Sequence, residues 1–465
     1  MKKVFKADPI IFICTFLLIS IGLFTLYSLT LTGIESRAEF FQKEFQNQLI
    51  YAFVGIVVGV LIFVSPFYYL RLKWILFLIY LFTSGLLIYT AFFGLNVKGV
   101  RRWISFGSSV LDDGTVVGGF TIQGSEFAKI TVILITSFLL SVPKKIEVQK
   151  TLLLNKIKDF LGSNKYFFLA IGSILGIMSI IIAQNSLSVA GIIGIIAFIV
   201  VFAGVEKKSM AIAVTVCFLI SILISQTVFF NLSIQIRLIL FIVPLLVYIF
   251  SVYSGKLNDM AIFFTIAIGL VFGSLIVNIT WNNVLKDYQK ERVETFLNPD
   301  ANKEDEGFQQ EQSKISIGAG QLFGQGFRQV SDSRLLLLPE PTTDFIFAIF
   351  SFKFGFIGDA ILIIILLILV SRIFQQADRM SDKYSSLILI GCGGMILVQF
   401  FMNIGMNIGI LPVGGSTLPF VSAGGSSLIS MIIAIAICEN VIATNEMEKT
   451  IHERKDKVVI EGWNS

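Results

Sequence analysis

The chain carries repeated runs of about 20 apolar residues, each long enough to cross a ~30 Å hydrocarbon core at ~1.5 Å per helical residue. Lipid offers no hydrogen bonds to exposed backbone, so such runs cross as α-helices, which satisfy their own N–H and C=O groups. Twelve are expected, near 9–30, 48–66, 74–95, 125–142, 166–184, 187–204, 209–230, 234–253, 259–280, 344–371, 384–410 and 421–444. At 55% apolar and only 14% charged residues, the sequence reads as an all-α polytopic membrane bundle, unlike a soluble domain. The first run follows "MKKVFKAD". It is too long for a leader core and lacks a small-residue cleavage site, so an uncleaved span is expected.

Basic residues set the orientation. Arg71 and Lys73, the "PKKIEVQK" segment, Lys207, Lys208, Lys256, Arg372, Arg379, Lys383 and the tail all fall on one side, which is therefore expected to be cytoplasmic. An even number of spans puts both termini there. The organisation expected is a single membrane domain over 1–465, with a large extracytoplasmic loop at 281–343 and a cytoplasmic tail at 445–465. The net charge of +5 is spread between spans rather than gathered on a soluble face, so it argues topology, not nucleic-acid binding.

Counting excludes several chemistries. The only histidine, His452, lies in the tail, so a His-based triad or a multi-histidine metal site is ruled out. Cys14, Cys217, Cys392 and Cys438 all sit in apolar runs, where thiols usually pack as small hydrophobes; neither disulfide nor metal site is expected. No glycine-rich phosphate loop or ATPase signature is present.

Four constellations converge on the expected outer face. "KGVRRWISFG" (98–107) puts Lys98, Arg101 and Arg102 outside, against the charge rule. It is either a tolerated solvated loop or an anion site, with Arg101 and Arg102 as planar donors to a pyrophosphate and Trp103 as an interfacial anchor. "QGSEFAK" (123–129) opens the fourth span. Glu126 and Lys129 share a helix face there, either as a structural ion pair below a Ser125 cap or facing a polar cavity. The large loop holds "QSKISIGAGQLFGQGF" (312–327) and ends in "PEPTTDFIF", where Asp344 is either a helix cap favoured by the dipole or a functional acid. "NIGMNIGILPVGGSTLPFVSAGGSS" (403–427) reads as a re-entrant or linker-like segment, tolerated at membrane depth only where protein or a water cavity satisfies it.

These stretches, in this order, resemble the SEDS family (shape, elongation, division and sporulation) of RodA/FtsW-type peptidoglycan glycosyltransferases. The matching pieces are "GVRRWI", "QGSEFAK", "YQKERVETFLNPD", "QSKISIGAGQLFGQGF", "LPEPTTDFIFAIF", "FGFIG" and "LPVGGSTLPFVSAGGSS". The resemblance implies polymerisation of lipid II into β-1,4 glycan strands at the outer face of a bacterial cytoplasmic membrane, in cell elongation or division, with release of undecaprenyl pyrophosphate. It also implies a class B penicillin-binding protein transpeptidase as partner. By the same resemblance Asp344 is the general base, and the substrate-binding residues are Arg101, Arg102, Trp103, Glu126, Lys129, Gln312, Ser313, Glu340 and Thr343. No ligand cage stands out, and a divalent cation, magnesium or manganese, is the one cofactor left open. A lipid II flippase or transporter and a non-catalytic scaffold of the wall-synthesis complex are the competing readings. Against the transporter, the charges gather at the rim rather than at the bilayer midplane.

The chain departs from the family pattern in several places. "QPSE" is "QGSE", "SSVLDDGTVVGG" (108–119) is inserted, and Thr342 stands where the family has His. The usual Glu-Glu is Phe352-Lys353, "SYGGSS" reads "SAGGSS", and "QNSLSVA" (184–190) lacks its acid. Ten spans are usual in the family; the two extra runs expected here preserve inside–outside parity.

Overall fold

The computed structural model describes residues 6–31, 35–97, 100–106, 109–110, 116–117, 120–142, 165–204, 290, 306–326 and 341–463. The chain divides into two units, residues 1–200 with 303–465, and 201–302. Nearly all of the second unit lies outside the described residues, and the architecture below is that of the first.

Ten α-helices occur among the described residues: α1 (Pro9–Thr30), α2 (Glu35–Val64), α3 (Lys73–Phe93), α4 (Gly124–Ser141), α5 (Lys165–Ala183), α6 (Leu187–Gly204), α7 (Glu306–Gly320), α8 (Ile346–Asp378), α9 (Lys383–Asn407) and α10 (Gly425–Trp463). All but the short, polar α7 are long and apolar enough to cross a membrane. They coincide with nine of the twelve expected spans; the runs at 209–230, 234–253 and 259–280 fall outside the described residues.

Four features differ from expectation, the first being that α10 runs to Trp463, past the 421–444 run and into the expected tail. Helix α2 starts at Glu35 instead of 48, because polar residues continue the helix past the apolar run. Helix α8 starts at Ile346 and runs to Asp378, beyond the 344–371 read from hydropathy, and it kinks at Gly355. The 98–107 stretch, expected as a loop, contains a strand. β1 (Leu95–Val97), β2 (Val100–Phe106) and β5 (Phe120–Gln123) form an antiparallel sheet in the order β1-β2-β5, with Trp103 opposite Gln123 and Phe106 opposite Phe120. β3 (Ser109–Val110) and β4 (Val116–Val117) pair within the insertion. "VRRWISF" and "FTIQ" are rich in aromatic and β-branched residues, which suit a pleated surface.

The bundle is apolar inside and out. Leu18, Ile133, Ile196, Leu366, Ile388, Ile396 and Met431 are buried in its core, whereas Phe12, Phe53, Leu61, Phe82 and Ile364 point outward, as lipid solvent allows. Since lipid is as apolar as leucine, close packing rather than water exclusion must hold the helices together. Gly55 and Gly59, four apart on α2, both lie against Ile432 of α10 and admit that close approach.

Polar contacts gather at the two ends. At one end Asp8 caps α1, accepting from the Ile10 N–H, and takes hydrogen bonds from Arg372 Nε (2.8 Å) and Gln376 of α8. Its own N–H donates to Glu439 Oε2 of α10 at 2.8 Å. Arg71 pairs with Asp382 at 2.9 Å on the same end. The opposite end collects the sheet, the 341–345 turn, the 408–424 loop and the starts of α4, α6 and α10.

Candidate functional site

Asp344 lies in a turn over 341–345, immediately before the Phe345 N-cap of α8. Phe345, the N-cap residue, makes no side-chain cap hydrogen bond, and the cap position falls one residue after Asp344. The backbone of this turn is fixed from several directions. The Asp344 carbonyl accepts from Asn403 Nδ2 (2.9 Å) and Asn407 Nδ2 (3.0 Å), both on α9. The Thr343 carbonyl accepts from Ser422 Oγ at 2.7 Å, and the Thr342 carbonyl from the Ala423 N–H at 2.9 Å. Asn407 also accepts from the Ala348 N–H and from Ser313 of α7, which is fully buried and thus braces Asn407.

The Asp344 carboxylate faces the glycine pair of the 408–424 loop. A Cβ placed on Gly415 would lie 3.5 Å from Asp344 Oδ2, and Gly415 has φ +64, a conformation that disfavours any side chain. The neighbouring Gly414 abuts Ser188 at the start of α6. The Ser416 carbonyl accepts from the same Asn403 amide at 2.6 Å, so one side chain ties loop and turn together.

A second polar centre lies on α4. Glu126 Oε2 accepts from Lys129 Nζ at 2.7 Å, both side chains buried, with Ser430 Oγ of α10 3.4 Å away. Ser125 is inside the helix and accepts from Gln123 Nε2; Gln123 is the N-cap, without a side-chain cap bond, so Ser125 does not cap α4. Serines of "SAGGSS" link this centre to the Asp344 turn. Ser427 shares a 2.7 Å hydrogen bond with Thr417, Ser426 accepts from the Gln123 N–H, and Gln48 of α2 bonds the Ser422 carbonyl and the Gly424 N–H. The loop backbone at Ser416, Leu418, Ser422, Ala423 and Gly424 is thus bonded by protein groups, as a segment of that composition requires at membrane depth.

The arginines stand on opposite faces of β2. Arg101 is exposed and donates to the Phe92 carbonyl (2.9 Å) in the last turn of α3, where a cation complements the helix dipole. Arg102 donates to the Asn185 carbonyl at 3.3 Å, in the turn that leads to Ser188 and so to Gly414. The structure therefore brings Arg102 closer by contact to the Asp344 loop than Arg101. Trp103 is half-buried in the centre of the sheet. Gln312 lies on α7, its carbonyl bonded by Ser316, and Glu340 lies outside the described residues.

The glycine-rich stretch has a structural task. The kink at Gly355 frees backbone groups of α8, and the 321–326 loop takes them up. Gln325 and Gly326 N–H groups donate to the Phe352 and Lys353 carbonyls, while Phe356 and Ile357 N–H groups donate to the Gln321 and Leu322 carbonyls. Among the described residues no group of three or more His, Cys, Asp or Glu side chains comes together.

Sequence reasoning missed the residues that hold the site: Asn403, Asn407, Gln48 and Ser422. The i, i+4 asparagines of "NIGMN" were the available signal, since two amides on one face of an apolar helix need partners.

The family model described as "Cell cycle protein", covering FtsW, RodA and SpoVE, matches residues 8–245 and 235–447. The peptidoglycan glycosyltransferase RodA of Treponema pallidum is 30% identical, over 94% of this chain and 97% of its own length. Stage V sporulation protein E of Bacillus subtilis is 28% identical, over 93% and 96%. A chain of a solved peptidoglycan synthase complex that coordinates polymerisation and crosslinking superposes with a TM-score of 0.61 at 20% identity, covering 94% of this chain and 98% of that one. The rod-shape-determining protein RodA of Thermus thermophilus gives 0.55 at 17% identity, over 94% and 97%; both likenesses concern the fold.

Proposed function

The chain belongs to the FtsW, RodA and SpoVE family of cell cycle proteins and is a peptidoglycan glycosyltransferase, and we propose that it polymerises lipid II with Asp344 as general base. The Asp344 carboxylate takes the proton from the acceptor sugar hydroxyl as that oxygen bonds to the donor's anomeric carbon. The bond from that carbon to the pyrophosphate breaks, and undecaprenyl pyrophosphate leaves. Lys129 and Arg102, with Arg101 at the rim, offset the charge that builds on the departing group. The supporting observation is the fixing of the Asp344 turn by Asn403, Asn407 and Ser422. It holds one carboxylate beside a loop position without a side chain. Preorganisation of this kind lets a single group act without paying for reorientation during the reaction.

The membrane is then the bacterial cytoplasmic membrane, with Asp344 on its outer face and both termini in the cytoplasm. A class B penicillin-binding protein transpeptidase is the natural partner, since the similar solved chain comes from a complex that both polymerises and crosslinks.

The test gives purified protein labelled lipid II, with and without a transpeptidase partner, and resolves products on a gel. Long strands from wild type and a loss of at least about 100-fold in Asp344→Asn are expected, within the range of a lost general base. The turn should keep its fold, because the asparagines bind the Asp344 carbonyl, which the substitution leaves in place; thermal unfolding checks this. Strands that persist in Asp344→Asn would remove Asp344 from the chemistry. Lipid II crossing vesicles without polymer would favour the flippase, and neither activity would favour the scaffold.

A further inference from the structure

Resting on the polymerase reading above, we propose that Lys353 is a positioning residue: it pins the short helical segment that follows Asp344 to the end of α1. Lys353 is buried at 2% exposure. Its Nζ donates to the Ser28 carbonyl at 2.8 Å. Ser28 lies in the last turn of α1, where carbonyls lack intrahelical partners and the helix dipole places partial negative charge. That turn has no basic residue of its own, so Lys353 supplies the complementary charge from α8.

Lys353 also ends the segment it holds. The stretch Ile346–Phe354 runs from the Asp344 turn to the Gly355 kink, and the Lys353 carbonyl is capped by the Gly326 N–H at 3.0 Å. Lys353 thus sits at two helix C-termini at once, that of α1 and that of its own segment, and a cation suits both. A carboxylate there would face partial negative charge from each. Ring contacts reinforce the seam: Phe354 stacks on Phe24 of α1 at 5.9 Å and against Phe350 at 4.7 Å. At its other end the segment is held by Asn407, which accepts from the Ala348 N–H and donates to the Asp344 carbonyl. The segment is therefore fixed at both ends, and Lys353 ties its far end to a different helix from the one that holds Asp344.

The test compares Lys353→Met, Lys353→Glu and Lys353→Arg in the full chain, with Asp344→Ala as the inactive control. Polymerisation kinetics and amide hydrogen exchange are read in parallel. Lys353→Met should lower kcat about tenfold with KM within about twofold, since small misplacement of a reacting group is expensive while substrate binding is untouched. Exchange should quicken over 341–354 and stay at wild-type rates in α4 and α9. Lys353→Arg should restore both readouts, and Lys353→Glu should be worse than Lys353→Met. Wild-type kcat in Lys353→Met overturns the proposal. So does faster exchange spread evenly through every span, which would mark a general loss of stability. If wild type makes no polymer, the polymerase reading fails, while the exchange pattern alone still decides whether Lys353 holds the segment.

Discussion

Glu126 and Lys129 bury opposite charges 2.7 Å apart on one turn of α4, and their energetics follow from that burial. Taking two ions out of water costs nearly as much as their attraction returns, so the pair adds little by itself. Removing one partner is a different matter, because the other charge stays buried and uncompensated. Glu126→Gln or Lys129→Met should each destabilise the protein by about 3–5 kcal/mol, and the double substitution by clearly less than the sum. A double-mutant cycle of unfolding in detergent reads this directly; additive losses would show that the two side chains do not depend on each other. The pair was legible in the sequence from its three-residue spacing. Its link to Ser430 was not, because that contact joins residues 304 positions apart.

At the scale of elements, the kink in α8 governs where Asp344 sits. Gly355 has φ 65 and ψ −171, a region open in practice only to glycine. A Cβ there would lie 2.3 Å from the Gly324 N and 2.7 Å from the Leu322 carbonyl. Gly355→Ala therefore combines backbone strain with a clash against the loop that caps the broken helix. A stability loss of at least about 2 kcal/mol is expected, together with loss of polymerisation even though Asp344 is intact. Unfolding midpoints and the lipid II gel check it; an active, equally stable variant would mean the kink is dispensable. Hydropathy could not reveal this feature. The 344–371 run is continuous in composition and has no proline, so the break appears only when the 321–326 loop is packed beside it. The sheet was more accessible, since "FTIQ" alternates with a period of two and "VRRWISF" is rich in aromatic and β-branched residues.

At the scale of the molecule, parity constrains what lies between 204 and 346. Helix α6 begins beside Gly414 at the Asp344 end, and α8 begins at that same end. Helix α7 stays there too, bonded to Asn407 and to the Met406 and Leu411 carbonyls. With α6 read as a single pass, the three apolar runs expected from the sequence at 209–280 would bring the chain back to that end. Reporter fusions at 33, 112, 304 and 412 should read as extracytoplasmic, and those at 150, 206, 381 and 460 as cytoplasmic. A fusion at 304 on the same side as one at 206 would refute three crossings.

The sequence by itself determined the nine long apolar helices among the described residues, the end of the bundle where the motifs gather and the family, because lipid imposes a length and a composition on every span. It also singled out Asp344 and the Glu126–Lys129 pair. Only the tertiary structure decided how those groups are held. The amides of Asn403 and Asn407, the capped break at Gly355 and the reach of Lys353 to Ser28 join residues far apart in the chain. Buried polar groups must find partners wherever packing brings them, and hydropathy does not record which ones meet.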